Sequence, residues 1–239
     1  MSDEKSIHAG HRKRMKDAML SNGLDGFNNH QLIELLLFYV IPKRDTNPTA
    51  HELINRFGSL RGVLEADYDE LVSVNGIGEN AASLIKFAQM LSGRYLCDSS
   101  FEGDTQRFTD TDALRRYFEG AFLGIRNEQV RAMLVDDKLF MIKEKALLDG
   151  STTKVELNFR KIMDFVIKND CDRVVIAHNH PNGSALPSKA DIAVTQSLYQ
   201  KLKLCDIHLI DHVIVGKTGS TSLRSYEHGF GIWPTDNKK

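Results

Sequence analysis

Two histidines, a serine and an aspartate share one short stretch, His178-Asn179-His180-Pro181 and then Ser188-Lys189-Ala190-Asp191. Two imidazoles and one carboxylate suit a Zn²⁺ ion whose fourth position is left to water, the pattern of a catalytic rather than a closed structural site. Such a metal lowers the pKa of its water toward about 7. A nearby carboxylate can then serve as general base. Each piece also has a plain structural reading. A His-x-His pair is often the polar edge of a strand, Asp191 is a favourable charge at a helix N-terminus, and Ser188 is a helix cap. Their combination favours the metal.

The elements that must position these groups are legible around them. Arg173 to Ala177 is short, apolar and β-branched, as a buried strand is. It runs into His178 and His180, and a side-chain period of two turns both imidazoles to one face. Pro181 has no N–H and ends the ladder. Ser188 follows Pro187 as N-cap of a helix reaching Leu204, with Asp191 in its first turn. Before this stretch, Thr109 to Leu123 reads as a helix. Val130 to Val135 and Leu139 to Leu148 read as strands joined by Asp136-Asp137-Lys138, and Phe159 to Asn169 as a helix. After it, Ile207 to Val215 alternates as a strand and Thr221 to Leu223 forms a last short one. The result is an α/β domain around a small mixed sheet.

The order His178-x-His180-Pro181 … Ser188-x-x-Asp191 resembles the JAMM (MPN+) zinc metalloprotease signature. With Asn179, Gly183, Pro187 and the later pair Asp211-His212, the chain resembles the RadC family in particular. That resemblance implies a cytidine deaminase-like JAMM/MPN domain, zinc held by His178, His180 and Asp191, and Ser188 assisting at the reacting carbonyl. It also implies a peptide or isopeptide bond as target and an upstream Glu as base. Glu128, just before the Val130 strand, is the favoured base, with Glu144 and Glu156 as rivals. The plainer role for Glu128 is a solvated charge at a strand start. Asp211 and His212 either orient a ligand histidine or make an internal structural hydrogen bond. The chain departs from the pattern in Asn182, Ser184-Ala185, Leu157 to Arg160 and the C-terminal Ser222 to Gly229, none of which removes a ligand. Other metal chemistries fit less well, because there is neither a His-Glu-x-x-His helix nor a pair of close cysteines.

The first hundred residues read as helices throughout. His11 to Leu20 is basic and amphipathic, Leu32 to Phe38 is apolar and stopped by Pro42, and Thr49 to Phe57 is closed by Gly58. Leu60 to Ala66 and Tyr68 to Val72 lead to Gly76-Ile77-Gly78 and a helix from Glu79 to about Leu96. This last arrangement resembles a helix-hairpin-helix element, whose glycines let the backbone approach a phosphate. The same letters also make an ordinary tight turn, and Glu79 puts a negative charge where a phosphate would lie. The RadC resemblance extends here through Gly10-His11-Arg12, Pro42 to Pro48 and Phe57 to Leu60. A polar stretch, Cys97 to Arg107, is the expected linker. It divides the chain into a helical domain, 1–100, and a hydrolase-like domain, 101–239.

Composition limits the alternatives. The 239 residues carry 31 Lys+Arg and 32 Asp+Glu, a net charge of -1. Residues 1–100 hold 11 basic and 13 acidic groups. DNA binding through Gly76 and Gly78 therefore lacks a bulk positive field and is expected to be weak and non-specific. No apolar run approaches the roughly 20 residues of a membrane span, and the polar N-terminus does not read as a secretory signal. Three widely spaced cysteines suit a reducing cytoplasm. The sequence thus points to a zinc-dependent hydrolase with a protein or peptide substrate. A DNA-binding, repair-associated accessory protein with a structural or vestigial metal is the alternative, and a metal-dependent nuclease ranks third.

Overall fold

A computed structural model of the chain describes residues 10–148 and 159–233. The chain divides into two units, Met1–Met90 and Leu91–Lys239.

In the first unit every described element is helical. They are α1 (His11–Asn22), α2 (Asn29–Leu37), α3 (Asn47–Phe57), α4 (Leu60–Glu65), α5 (Tyr68–Val72) and the start of α6 (Glu79–Asp98). Local chemistry sets their ends. Asn28 and Gln31 form a reciprocal capping box at α2, and Ser59 Oγ accepts from Gly62 N at 3.0 Å to start α4. Gly58 closes α3 at φ 80°, as the sequence predicts. Such caps are each worth about 1 kcal/mol. The apolar faces meet in a core that includes Ile33, Leu37, Leu53, Leu71 and Ile85, all fully buried.

The second unit is built on a five-stranded mixed sheet. Its strands are β1 (Val130–Val135), β2 (Met141–Leu148), β3 (Arg173–Asn179), β4 (His208–Gly216) and β5 (Gly219–Ser222), in the order β2-β1-β3-β4-β5. Only β3 and β4 run parallel, and α9 (Lys189–Lys203) makes the crossover between them. α8 (Phe159–Lys168) precedes β3, and α7 (Thr111–Ala121) precedes β1. The β-branched alternation sends Val174 and Ile176 into one core, with Ile162 and Phe165 of α8 and Leu198 and Leu202 of α9. Val175 and Ala177 point the other way, into a core with Leu114 and Phe118 of α7. The expected mixed sheet flanked by helices is therefore what forms.

The stretch expected as a linker is packed. α6 extends to Asp98, and the Ser100 hydroxyl donates to Leu96 O at 2.7 Å. The ring of Phe101 lies 5.0 Å from Phe108 and 5.6 Å from Tyr117. Polar letters here serve a helix end and a turn. Among the described residues no helix is long and apolar enough to cross a membrane.

Candidate metal centre

His178 lies near the end of β3, 3% exposed, on the face turned toward α9. His180 follows just past the strand, where its N–H donates to Val215 O at 2.7 Å. The loop after it is pinned to the end of β4. Lys217 N donates to Gly183 O at 2.9 Å. Gly216 passes so close beneath the loop that a Cβ there would lie 2.2 Å from Ala185 N. Ser188 starts α9 in a reciprocal capping box: its Oγ accepts from Asp191 N at 3.1 Å, and its own N–H donates to Asp191 Oδ2 at 2.7 Å. The cap and the carboxylate position are thus one device, as the Ser188-x-x-Asp191 spacing suggests.

These elements bring the side chains to one point. Nε2 of His178 and Nε2 of His180 are 2.9 Å apart. Asp191 Oδ1 is 3.3 Å from the first, and Oδ2 is 3.7 Å from the second. Glu128 joins them, with one ligating atom each of Glu128, His178 and His180 within 4.8 Å of one another. It stands just before β1, whose Val130 pairs directly with His178 across the antiparallel ladder. The side chain of Glu128 makes no hydrogen bond among the described residues, so its carboxylate is free to meet a substrate or an ion.

The rival carboxylates separate on geometry. Glu144 pairs with Met133 in the β1–β2 register, which puts it on the opposite face of the sheet. There it forms a half-buried ion pair with Arg131 and cannot reach the imidazoles. Glu156 lies outside the described residues.

The hydrogen-bond chain behind His178 fixes where its protons are. The Thr195 hydroxyl donates to Asp191 O at 2.6 Å, so Oγ1 must accept from His212 Nδ1 at 2.5 Å. Burial, reinforced by His178, pushes the His212 pKa well below its ordinary value. A neutral His212 protonated on Nδ1 offers Nε2 as acceptor, and His178 Nδ1 donates to it at 2.8 Å. His180 Nδ1 donates to Ser184 O at 2.9 Å. A neutral imidazole that donates from Nδ1 carries its lone pair on Nε2, and in this arrangement the two Nε2 atoms face each other. Beside them, burial tends to raise the Asp191 pKa, but its place beside the His178 ring and its bonds with Ser188 more than reverse this and hold the carboxyl well below the usual carboxylate range. Two nitrogen lone pairs and an anionic oxygen at such range call for a cation between them. The donor set fits a divalent metal, and partners on the far nitrogens are the usual way a protein orients ligand histidines.

His212 and Asp211 lie inside β4. His212 holds the ligand-like His178, and Asp211 does something else. Its Oδ1 accepts from the N–H groups of His212 and Arg224, and its Oδ2 accepts from the Ser222 hydroxyl at 2.6 Å. It thereby ties β4 to the chain after β5. Sequence reasoning assigned no part to two residues. Thr195 completes the relay. Asn179, 3% exposed, clamps the segment carrying Glu128. Its Oδ1 accepts from Gln129 N at 2.7 Å, and its Nδ2 donates to Asn127 O at 3.0 Å and Ile125 O at 3.3 Å. The position between the two histidines was the available signal. Replacing Asn179 by alanine is expected to loosen Glu128 and cost about 1–3 kcal/mol of stability, since buried main-chain groups lose their partners. Thermal unfolding and hydrogen exchange of residues 125–129 check this.

The hairpin glycines of the first unit are differently placed. Gly76, at φ 90°, is covered by Arg44, whose Nη2 lies 1.6 Å from where a Cβ would stand. Gly78 is exposed at the start of α6. Ala81 and Ala82 are buried, as close helix packing requires. Lys86, a basic residue of α6 close to the hairpin in sequence, donates to Leu64 O and Ala66 O at 3.2 and 2.9 Å.

A five-stranded mixed sheet between helices, with a His/Glu cluster at the end of its central strand, defines a protein of the JAB/MPN class. Residues 108–229 match the family described as the RadC-like JAB domain. The chain is also 30% identical over 217 residues to UPF0758 protein FN0909 of Fusobacterium nucleatum, covering 87% of this chain and 92% of that one. The chain belongs to the RadC family.

Proposed function

We propose that this chain is a zinc-dependent hydrolase that cleaves a peptide or isopeptide bond. The observation that carries the reading is the convergence of two imidazole lone pairs and an ionised carboxylate, with the second carboxylate of Glu128 free beside them. Two nitrogens and one oxygen suit zinc among the common divalent ions. His178, His180 and Asp191 would hold it, Asp191 being the closer and the better fixed of the two carboxylates. When bound, zinc supplies Lewis acidity and makes a water acidic enough to ionise near neutral pH. Glu128 takes the proton of the attacking water and returns it to the leaving amine. The Ser188 oxygen already accepts from Asp191 N, so its own proton is free to be donated to a developing oxyanion.

Near-stoichiometric zinc in the purified protein, and new termini in a peptide library that appear only with the zinc form, are the expected results. Absence of zinc, or cleavage of DNA instead of peptides, would sink the reading. A second reading, a DNA-binding accessory protein, draws on the exposed Gly78 at the start of α6. It loses Gly76 and Lys86, both already engaged within the unit, as phosphate contacts.

A further inference from the structure

A second polar site lies in the first unit, independent of the metal centre. It is a cleft of about 410 Å³ lined by the start of α1 and by the 43–46 segment before α3. Arg12, Lys13, Lys43 and Arg44 all line it. None of the four has a carboxylate partner among the described residues. Arg12 lies over the Phe38 ring at 4.7 Å and donates to the Arg44 and Phe38 carbonyls, while Arg44 Nη2 donates to Thr49 Oγ1 at 3.1 Å. The two guanidinium groups are thus held in place with their charge unspent.

Two helices begin at this cleft. α1 starts from Gly10, which has no side chain to cap it, so the first-turn amides of His11, Arg12 and Lys13 have no helical acceptor. α3 starts from Thr46, whose side chain makes no cap bond. Thr46 is fully buried, and its Oγ1 has no hydrogen-bond partner among the described residues. A buried hydroxyl without a partner is disfavoured in a folded protein unless a ligand completes it.

The two acids lining the cleft are already engaged. Glu34 accepts from His11 Nε2 at 3.1 Å and Asn47 Nδ2 at 3.0 Å, and Asp45 Oδ1 accepts from Asn47 N at 3.0 Å. Four cations against two engaged acids argue against a metal ion here and for an anion. The mixture of guanidinium, ammonium, hydroxyl and helix-end N–H groups matches a tetrahedral oxyanion. We propose that this cleft binds a phosphate group, carried on a nucleic-acid backbone or on a free small molecule.

The test uses the full chain after chelator treatment, so that phosphate captured by a metal is not read. Calorimetric titration and thermal unfolding are run with inorganic phosphate against chloride at equal ionic strength, and anisotropy with a short labelled DNA duplex. Wild type is compared with Thr46→Val and Lys43→Gln. Phosphate is expected to raise the melting temperature of wild type, and both substitutions to weaken binding roughly tenfold. Thr46→Val should melt no lower than wild type without phosphate, because it removes an unpartnered hydroxyl and no cap bond. If duplex binding falls in parallel in both variants, the phosphate is a nucleic-acid one; if only inorganic phosphate binding falls, it is a small-molecule one. If neither probe binds, or both variants bind like wild type, the proposal is overturned.

Discussion

Alanine at His178 or at Asp191 is expected to leave the purified protein without its metal while the fold persists. Each change removes a donor from the proposed set of three. Losing a group that merely orients a ligand histidine weakens metal affinity by about 10–100-fold, so losing a ligand itself should exceed that. The Asp191 change has a second effect, since that carboxylate also accepts from the N–H of Ser188 and completes the cap of α9. Asp191→Asn separates the two effects, because an amide oxygen can still accept from Ser188 N without supplying a charge. Metal content by plasma mass spectrometry and helix content by circular dichroism read the two apart. Unchanged metal content in His178→Ala would remove the basis of the proposed hydrolase.

The second large effect is expected at Glu128. Glu128→Gln keeps shape and hydrogen-bonding capacity but cannot take a proton. With a general base contributing about 10²–10⁴-fold, turnover should fall by that factor while metal content is retained. The comparison with Asp191→Asn is decisive, because both carboxylates flank the same imidazoles. If Glu128→Gln lost the metal and Asp191→Asn kept it, the roles of ligand and base would be exchanged. A metal assay beside the rate assay distinguishes the two assignments without further structure.

What could be read in the sequence followed the range of the contacts. His178, His180, Ser188 and Asp191 fall within one strand-to-helix turn, where a period of two and a capping box are local and legible. Glu128 is 50 residues away, and its nearness depends on Val130 pairing with His178. Its place just before a strand favours it over Glu144, which lies within the next strand, but does not show which of the two reaches the histidines. Only the register puts Glu144 opposite Met133 and hence on the far face. Thr195 reads as one more polar residue on an amphipathic helix, and its part is set by where β4 passes beneath it. The basic cleft was unreadable for the same reason. Arg12 and Thr46 belong to different helices, and only the packing of α1, α2 and α3 gathers them.

The chain from Thr195 through His212 to His178 begins at the main-chain carbonyl of Asp191 and ends on an imidazole that faces the Asp191 side chain. It is a closed circuit. Strand β3, strand β4 and the first turn of α9 each supply a link, so no donor can drift without the others. A substitution at Thr195 or His212 should therefore be felt at His178 as a weaker grip on a metal, because the tautomer of that imidazole is set through them by the main chain of Asp191.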